Sequence, residues 1–194
     1  MPIIIPGNSA VGGGFDVANS VRLDGTSAYL QRTPSSAGDR RTWTWSGWIK
    51  RSANFASQQT FFGVSASSGA YHLLYFSGND TITHNYAGTV LETTQKFRDP
   101  SAWYHIVYAV DTTQGTASNR IKVYVNGVQV TSFSTESYPS QNTEMNINTT
   151  TQTDVGNSGA TFNHYINGYM AEVCFINAQQ LSPTSFGEFD EDSG

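Results

Sequence analysis

The run Glu188-Phe189-Asp190-Glu191-Asp192 places carboxylates at alternating positions, and an extended strand would turn three of them to one face. Two carboxylates on either side of a glycosidic bond can act as nucleophile and general acid. The third position is Asp192 rather than Glu, however, and the run follows the turn-forming Pro183 with no further strand to wall a cleft. It reads as a solvated acidic linker. His72, His84, His105 and His164 lie in strand-like runs or turns without a nucleophile-elbow signature, so no Ser/His/Asp triad is legible. His105, between Trp103 and Val107, reads as a hydrogen-bonded structural histidine. The single cysteine, Cys174 in Glu172-Val173-Cys174-Phe175-Ile176, reads as a small buried apolar side chain. Zinc-type Cys/His spacing and a glycine-rich phosphate loop are both missing. No catalytic residue is expected.

Aromatic side chains offer more. Along Thr42–Arg51, Trp43, Trp45, Gly47 and Ile49 share one face, which reads as the protein interior. Trp48 falls on the other face with Thr44, Ser46 and Lys50. A ring beside hydroxyls suits a sugar, whose apolar face stacks while its hydroxyls take hydrogen bonds. Tyr75, His84 and Tyr86 are expected to line the same surface as Trp48. The competing expectation is that Trp48 packs beneath a loop or a neighbouring subunit. Asp24, Asp80, Asp111 and Asp154 are candidate oxygen ligands for a hard cation, and the metal question stays open at this point.

The elements that must position these residues are short and extended. Val21-Arg22-Leu23 and Tyr29-Leu30-Gln31 flank Asp24-Gly25-Thr26-Ser27 as a hairpin-like pair. Strands are expected at Thr42–Arg51, Thr60–Val64, Tyr71–Phe76, Thr81–Tyr86, Thr89–Thr93, Trp103–Asp111, Ile121–Val125, Val128–Phe133, Met145–Ile147 and Tyr165–Ile176. Asn126-Gly127 supplies the positive φ angles of a type I′ turn. No window of helical period competes, apart from a short turn near Gln179–Gly187. This pattern predicts an all-β, antiparallel two-sheet sandwich. Trp43, Trp45, Ile49, Ile106, Val123 and Val173 are expected inside it, with Trp103 at least partly covered. Residues 1–19, with Ile3-Ile4-Ile5 and Gly12-Gly13-Gly14, read as an N-terminal arm; 20–187 form one domain, and 188–194 an acidic linker or cut end. The arm is expected to dock on a neighbouring chain or virion protein rather than on its own sandwich.

Composition narrows the partners. Only 13% of the 194 residues are charged, against a typical ~25%, and Ser, Thr, Asn and Gly take their place. Such a surface accompanies proteins that work outside cells or on particles. The net charge is −5, with no basic stripe to neutralise phosphates, which excludes nucleic acid. No apolar run approaches the ~20 residues of a membrane-spanning helix. One cysteine allows no intrachain disulfide, which suits assembly in a reducing compartment and later exposure.

Three blocks resemble the laminin-G-like, concanavalin A-like jelly-roll pattern. Thr42-Trp43-Thr44-Trp45-Ser46-Gly47-Trp48-Ile49-Lys50 resembles its T-[IF]-[ST]-x-W-[VI]-K strand. Trp103-Tyr104-His105-Ile106 through Asp111, followed by Lys122-Val123-Tyr124-Val125-Asn126-Gly127, is similar to its W-x-H-[IV]…D…[KR]-[VIL]-Y-V-N-G core. Gly168-Tyr169-Met170-Ala171-Glu172-Val173 is similar to its closing G-x-[IM]-x-E-V strand. The resemblance raises calcium, but the Asp that often precedes the closing Glu is Ala171 here, so no cofactor is favoured. Ala28–Trp43, Phe97–His105 and Leu181–Glu188 also resemble blocks of tailed-bacteriophage structural proteins. That resemblance implies a non-catalytic virion module of a tail fibre or appendage, binding host surface glycan, in contact with other virion proteins and homo-oligomeric, a trimer favoured. An architectural decoration module and a polysaccharide depolymerase domain are the alternatives.

Overall fold

A computed structural model describes residues 19–52, 56–159 and 161–187. The arm as far as residue 18 and the carboxylate run 188–192 lie outside the described residues. The strands are β1 (Val21–Asp24), β2 (Leu30–Arg32), β3 (Thr42–Arg51), β4 (Gln59–Ser67), β5 (Ala70–Phe76), β6 (Thr81–Tyr86) and β7 (Thr89–Lys96). They continue as β8 (Tyr104–Asp111), β9 (Ile121–Val125), β10 (Val128–Gln129), β11 (Phe133–Glu136), β12 (Thr153–Val155) and β13 (Asn167–Asn177). A six-stranded sheet runs β1-β13-β3-β8-β9-β10, and a seven-stranded sheet runs β11-β7-β6-β5-β4-β12-β2. Every paired strand is antiparallel to its neighbour. The fold is the expected two-sheet jelly-roll sandwich.

Strand β3 shows why. Its inward residues Trp43, Trp45 and Ile49 are fully buried. Trp45 meets Phe61 and Phe62 of β4 at ring-centroid distances of 5.1 and 5.9 Å. Trp43 meets His72 at 5.2 Å and Phe175 at 5.6 Å. Each such ring removes on the order of 150–250 Å² from water, several kcal/mol at ~25 cal/mol per Å². Gly47 must be glycine, because a Cβ there would lie 2.8 Å from Cη2 of Trp45. At the end of β3, buried Arg51 donates to Asp80 Oδ1 (3.2 Å) and to the Phe97 carbonyl (3.0 Å), and its guanidinium lies 4.5 Å over the Phe76 ring.

Several local expectations were displaced. Val21–Leu23 and Tyr29–Gln31 are not a hairpin: β1 pairs with β13 in one sheet and β2 with β12 in the other. Asp24 makes the crossing, accepting from the N–H groups of Thr26, Ser27 and Ala28 at 2.9 Å each. The run Val128–Phe133 likewise divides between sheets as β10 and β11. Met145 and Ile147 are buried but belong to a loop, and β12 was not anticipated. In β13 a bulge between Ala171 and Cys174 puts Glu172 at φ 47° and leaves Val173 and Cys174 half-buried rather than enclosed. Trp43, Trp45, Ile49, Ile106 and Val123 are buried as expected. The turn near the end is a short 3₁₀ element, Pro183–Ser185.

Asn126 and Gly127 have φ 48° and 78° and join Val125 to its partner Val128, the I′ geometry the sequence predicts. Gly127→Val should cost about 1–2 kcal/mol, since a β-branched residue is forced left-handed; an unchanged denaturation midpoint would contradict this.

A second prediction concerns acid. His72 and His84 are fully buried, with their Nε2 atoms 2.9 Å apart, so one donates to the other. Burial pushes His84 down to about 3 and His72 well below its ordinary value, the latter helped by its neighbour. The unfolded chain protonates both below about pH 6.5 while the folded chain does not, so stability is complete above that pH and falls as pH drops. The slope is up to about 1.4 kcal/mol per pH unit for each histidine. Urea midpoints should be level from pH 9 to 7.5 and clearly lower at pH 5.

Candidate functional site

The outward face of the six-stranded sheet is covered over one half. Residues after β13 lie across it: Thr44 Oγ1 donates to the Gln179 carbonyl (2.7 Å) and accepts from Leu181 N (2.8 Å). Gln180 Nε2 reaches the carbonyls of Ala109 (3.3 Å) and Asn119 (3.0 Å). Phe186 comes within 6.5 Å of the His105 ring. Thr44, Ser46, Val107 and Ala109 are therefore buried although they point away from the core.

Beyond this strap the face is open, and rings gather there. Trp48 is half-buried and stacks on His105, directly opposite on β8, at 4.9 Å and 24°. His105 Nε2 is 2.9 Å from Ser46 Oγ, and its backbone N–H donates to Asn126 Oδ1 at 2.9 Å. This is the hydrogen-bonded structural role expected of it. The Ser46 hydroxyl belongs to a 1% exposed residue, so the serine–histidine pair is closed to a substrate. Next to Ala171, the partner of Trp48, β13 carries Tyr169 opposite Lys50, and Tyr169 is 38% exposed. The Arg22 guanidinium lies 5.2 Å over the Tyr169 ring and donates to Asn167 Oδ1 at 2.8 Å. Trp103, 36% exposed, immediately precedes Tyr104, the partner of Ile49. By strand register Trp48, Lys50 and Tyr169 share this outer face, and exposed Trp103 lies one residue ahead of β8 beside it. Sequence reasoning found Trp48 and missed Tyr169 and Trp103; the register of β13 and β8 against β3 was the signal that would have found them.

The four residues expected on one surface occupy three places. His84 is fully buried between the sheets and cannot meet a ligand, because Ile82 points inward and His84 repeats its side two residues later. Tyr86 repeats it again: its ring packs at the core margin 5.8 Å from His72, and its hydroxyl donates to the Glu144 carbonyl at 3.3 Å. Tyr75 lies between inward Leu74 and Phe76, so it faces outward from the seven-stranded sheet, opposite Thr60 and Thr83. Burial raises its phenol pKa, with Asn85, Glu92 and Thr83 close by. Trp48 and Tyr75 therefore lie on opposite outer faces.

The candidate cation ligands are engaged with protein donors. The Ser27, Ala28 and Thr26 N–H groups hold the Asp24 carboxyl well below its usual range. Asp80 accepts from Arg51 and Arg98, and Asp111 from Thr113 and Gln114. Buried Asp154 accepts from Gln152 and Asn157. Among the described residues no group of three or more His, Cys, Asp and Glu side chains is placed to hold a metal ion.

Comparison with known proteins agrees with this architecture. The family model described as concanavalin A-like lectin/glucanases superfamily matches residues 24–184. A heptameric SAP-like pentraxin from Limulus polyphemus superposes with a TM-score of 0.57 at 15% identity, covering 83% of this chain and 77% of that one. Domain 4 of an extracellular arabinanase from Geobacillus stearothermophilus, solved with arabinotriose, gives 0.55 at 14% identity and 85% and 84% coverage. The CBM40 of a Ruminococcus gnavus sialidase, solved with α2,3-sialyllactose, gives 0.52 at 11% identity and 92% and 97% coverage. At these identities the likeness is one of fold. A comparison with curated protein sequences finds no match.

Two tryptophans three residues apart should behave oppositely. Trp45→Ala opens a cavity in the core and should cost about 3–5 kcal/mol. Trp48→Ala removes a half-exposed ring and should leave a folded domain with a smaller loss. Thermal melts of the two variants test the face assignment.

Proposed function

Because the chain belongs to the concanavalin A-like lectin/glucanases superfamily, we propose that it is a non-catalytic carbohydrate-recognition module that binds through the open half of its six-stranded sheet. The observation that carries this reading is the grouping of Trp48 and Tyr169 on one outer face, with Trp103 beside it and amide and cationic side chains alongside. Isolated exposed apolar residues need no explanation, but grouped rings flanked by amide and cationic side chains suit a ligand with both apolar and hydroxyl surfaces. Two neighbours in fold were solved with an oligosaccharide bound, arabinotriose and sialyllactose. They support the class of ligand.

We place this module on a virion of a tailed bacteriophage, in a tail fibre or related appendage, where it contacts other virion proteins and host surface glycan. The blocks Ala28–Trp43, Phe97–His105 and Leu181–Glu188 support that placement, together with the low charge and the single cysteine. A homo-oligomer suits a shallow site, because weak contacts become useful adhesion when many copies act together. A trimer is favoured for a fibre.

Titration of the isolated protein with host-surface oligosaccharides is the test. Trp48→Ala and Tyr169→Ala should each lower affinity at least ~10-fold, an interaction loss of about 1.4 kcal/mol, and Tyr75→Ala should not. If Tyr75→Ala alone abolishes binding, the site lies on the seven-stranded sheet. Affinity should change little between low and physiological salt, because few ion pairs take part. A domain that binds no glycan would favour the architectural reading.

A further inference from the structure

An asparagine side chain can be attacked at Cγ by the backbone nitrogen of the next residue, with loss of ammonia. The step needs a nitrogen outside any ladder, little bulk beside it and a chain able to bend. Glycine meets the second need, because it has no Cβ to crowd the approach. The sequence holds two Asn-Gly pairs, Asn126-Gly127 and Asn167-Gly168. The fold puts them in opposite settings.

Asn167-Gly168 lies inside the six-stranded sheet. Asn167 faces Asp24 of β1, and Gly168 faces both Leu23 of β1 and Arg51 of β3. The Asn167 carbonyl accepts from the Ser52 N–H at 2.8 Å, and its Oδ1 accepts from the Arg22 guanidinium at 2.8 Å. Gly168 is buried so closely against β3 that a Cβ would collide with the Lys50 carbonyl. Bringing the Gly168 nitrogen onto Cγ would require the sheet to open on both sides.

Asn126-Gly127 is the tip of a hairpin. Asn126 is exposed and Gly127 half-buried, at φ 48° and 78°. They are the central pair of a two-residue turn, outside the ladder that ends at Val125 and Val128. Strand β10 pairs with β9 through two residues, so little structure resists bending there. Asn126 Oδ1 accepts from the His105 N–H at 2.9 Å, while its Nδ2 makes no hydrogen bond among the described residues. A donor at that oxygen stabilises the charge that develops on it as Cγ is attacked.

We propose that Asn126 is a site of spontaneous deamidation and that the sheet protects Asn167 from the same reaction. Hydroxide takes the Gly127 amide proton and the nitrogen bonds to Cγ of Asn126. The Cγ–Nδ2 bond then breaks, and Nδ2 takes a proton from water and leaves as ammonia. Water opens the resulting succinimide at either carbonyl, giving an aspartyl or an isoaspartyl residue at position 126. Either product places a negative charge beside His105, whose ring stacks on Trp48. The isoaspartyl product also lengthens the main chain within a turn that fits only two residues. The proposal does not depend on carbohydrate binding.

Incubation of the full chain at mildly alkaline pH, followed by peptide mapping with mass spectrometry, tests it. Over weeks the peptide containing Asn126 should gain the mass of an amide converted to an acid and split into two isomers. Conversion at Asn167 should be at least ~10-fold slower, because it waits for the sheet to open. In the chain unfolded in urea that difference should vanish. Gly127→Ala should slow conversion at position 126 at least ~10-fold, since a Cβ crowds the attacking nitrogen; should that variant not fold, the native and unfolded rates of the wild type decide. Equal rates at the two sites in the native chain would overturn the proposal. So would an Asn126 that stays intact in the native chain while the unfolded chain converts, because the turn would then protect it.

Discussion

Everything in this molecule is referred to the register of β3. It is flanked on both sides, by β13 and β8, and its alternation is complete: Trp43, Trp45 and Ile49 are enclosed, while Thr44, Ser46 and Trp48 face the other way. A slip of one residue would carry two indoles into solvent and put a hydroxyl, a lysine and a glycine-sized gap at the wrong face. The indoles fix it from inside, because Trp45 occupies the space over Gly47 and no other residue at 47 would let it do so. Thr44 fixes it from outside, holding the chain after β13 at both Gln179 and Leu181. The same strand thus supplies the sheet-to-sheet contact and the centre of the proposed binding face.

Two sets of buried ionisable side chains inside the sandwich are met by partners. His72 and His84 remain neutral against each other, and Arg51 carries its charge inward only with Asp80 and the Phe97 carbonyl to receive it. Burying a charge without partners would cost far more than either arrangement. These choices separate two kinds of histidine. The His72–His84 pair couples folding to acidity, whereas His105, beneath Trp48, is a support for a ring. Its own pKa is lowered by burial, so it is uncharged at neutral pH and presents a flat aromatic face.

The sequence was legible where structure is local. Strands β3 and β6 carry the anticipated boundaries, and the Asn126-Gly127 turn has the expected dihedral signs, because alternation and turn chemistry act over neighbouring residues. It was illegible where the chain changes sheets. Asp24-Gly25-Thr26-Ser27 has the composition of a hairpin turn, yet the Asp24 carboxylate collects three N–H groups and redirects the chain. Nothing in the spacing distinguishes those outcomes. Likewise Val128–Phe133 looks continuous but serves two sheets. The site failed for another reason. His84 and Tyr86 were grouped with Trp48 by chemical type, although β6 begins Thr81-Ile82, and a buried Ile82 already commits both to the interior.

The open half of the six-stranded sheet's outer face and the strap beside it are two halves of one solution. An outer sheet face that carries Val107 and Ala109 must be covered somehow, and the chain after β13 covers it. The strap is placed by Thr44, Ala109 and Asn119, and its Phe186 reaches only the border of His105. The rings beside it are partly open and braced: Trp48 rests on His105, and Tyr169 lies under Arg22. Bracing lowers the rotamer entropy that a ligand would otherwise have to remove on binding. Rings held still while solvent-exposed contribute less to folding than enclosed ones, and that forgone stability accords with the proposed binding face.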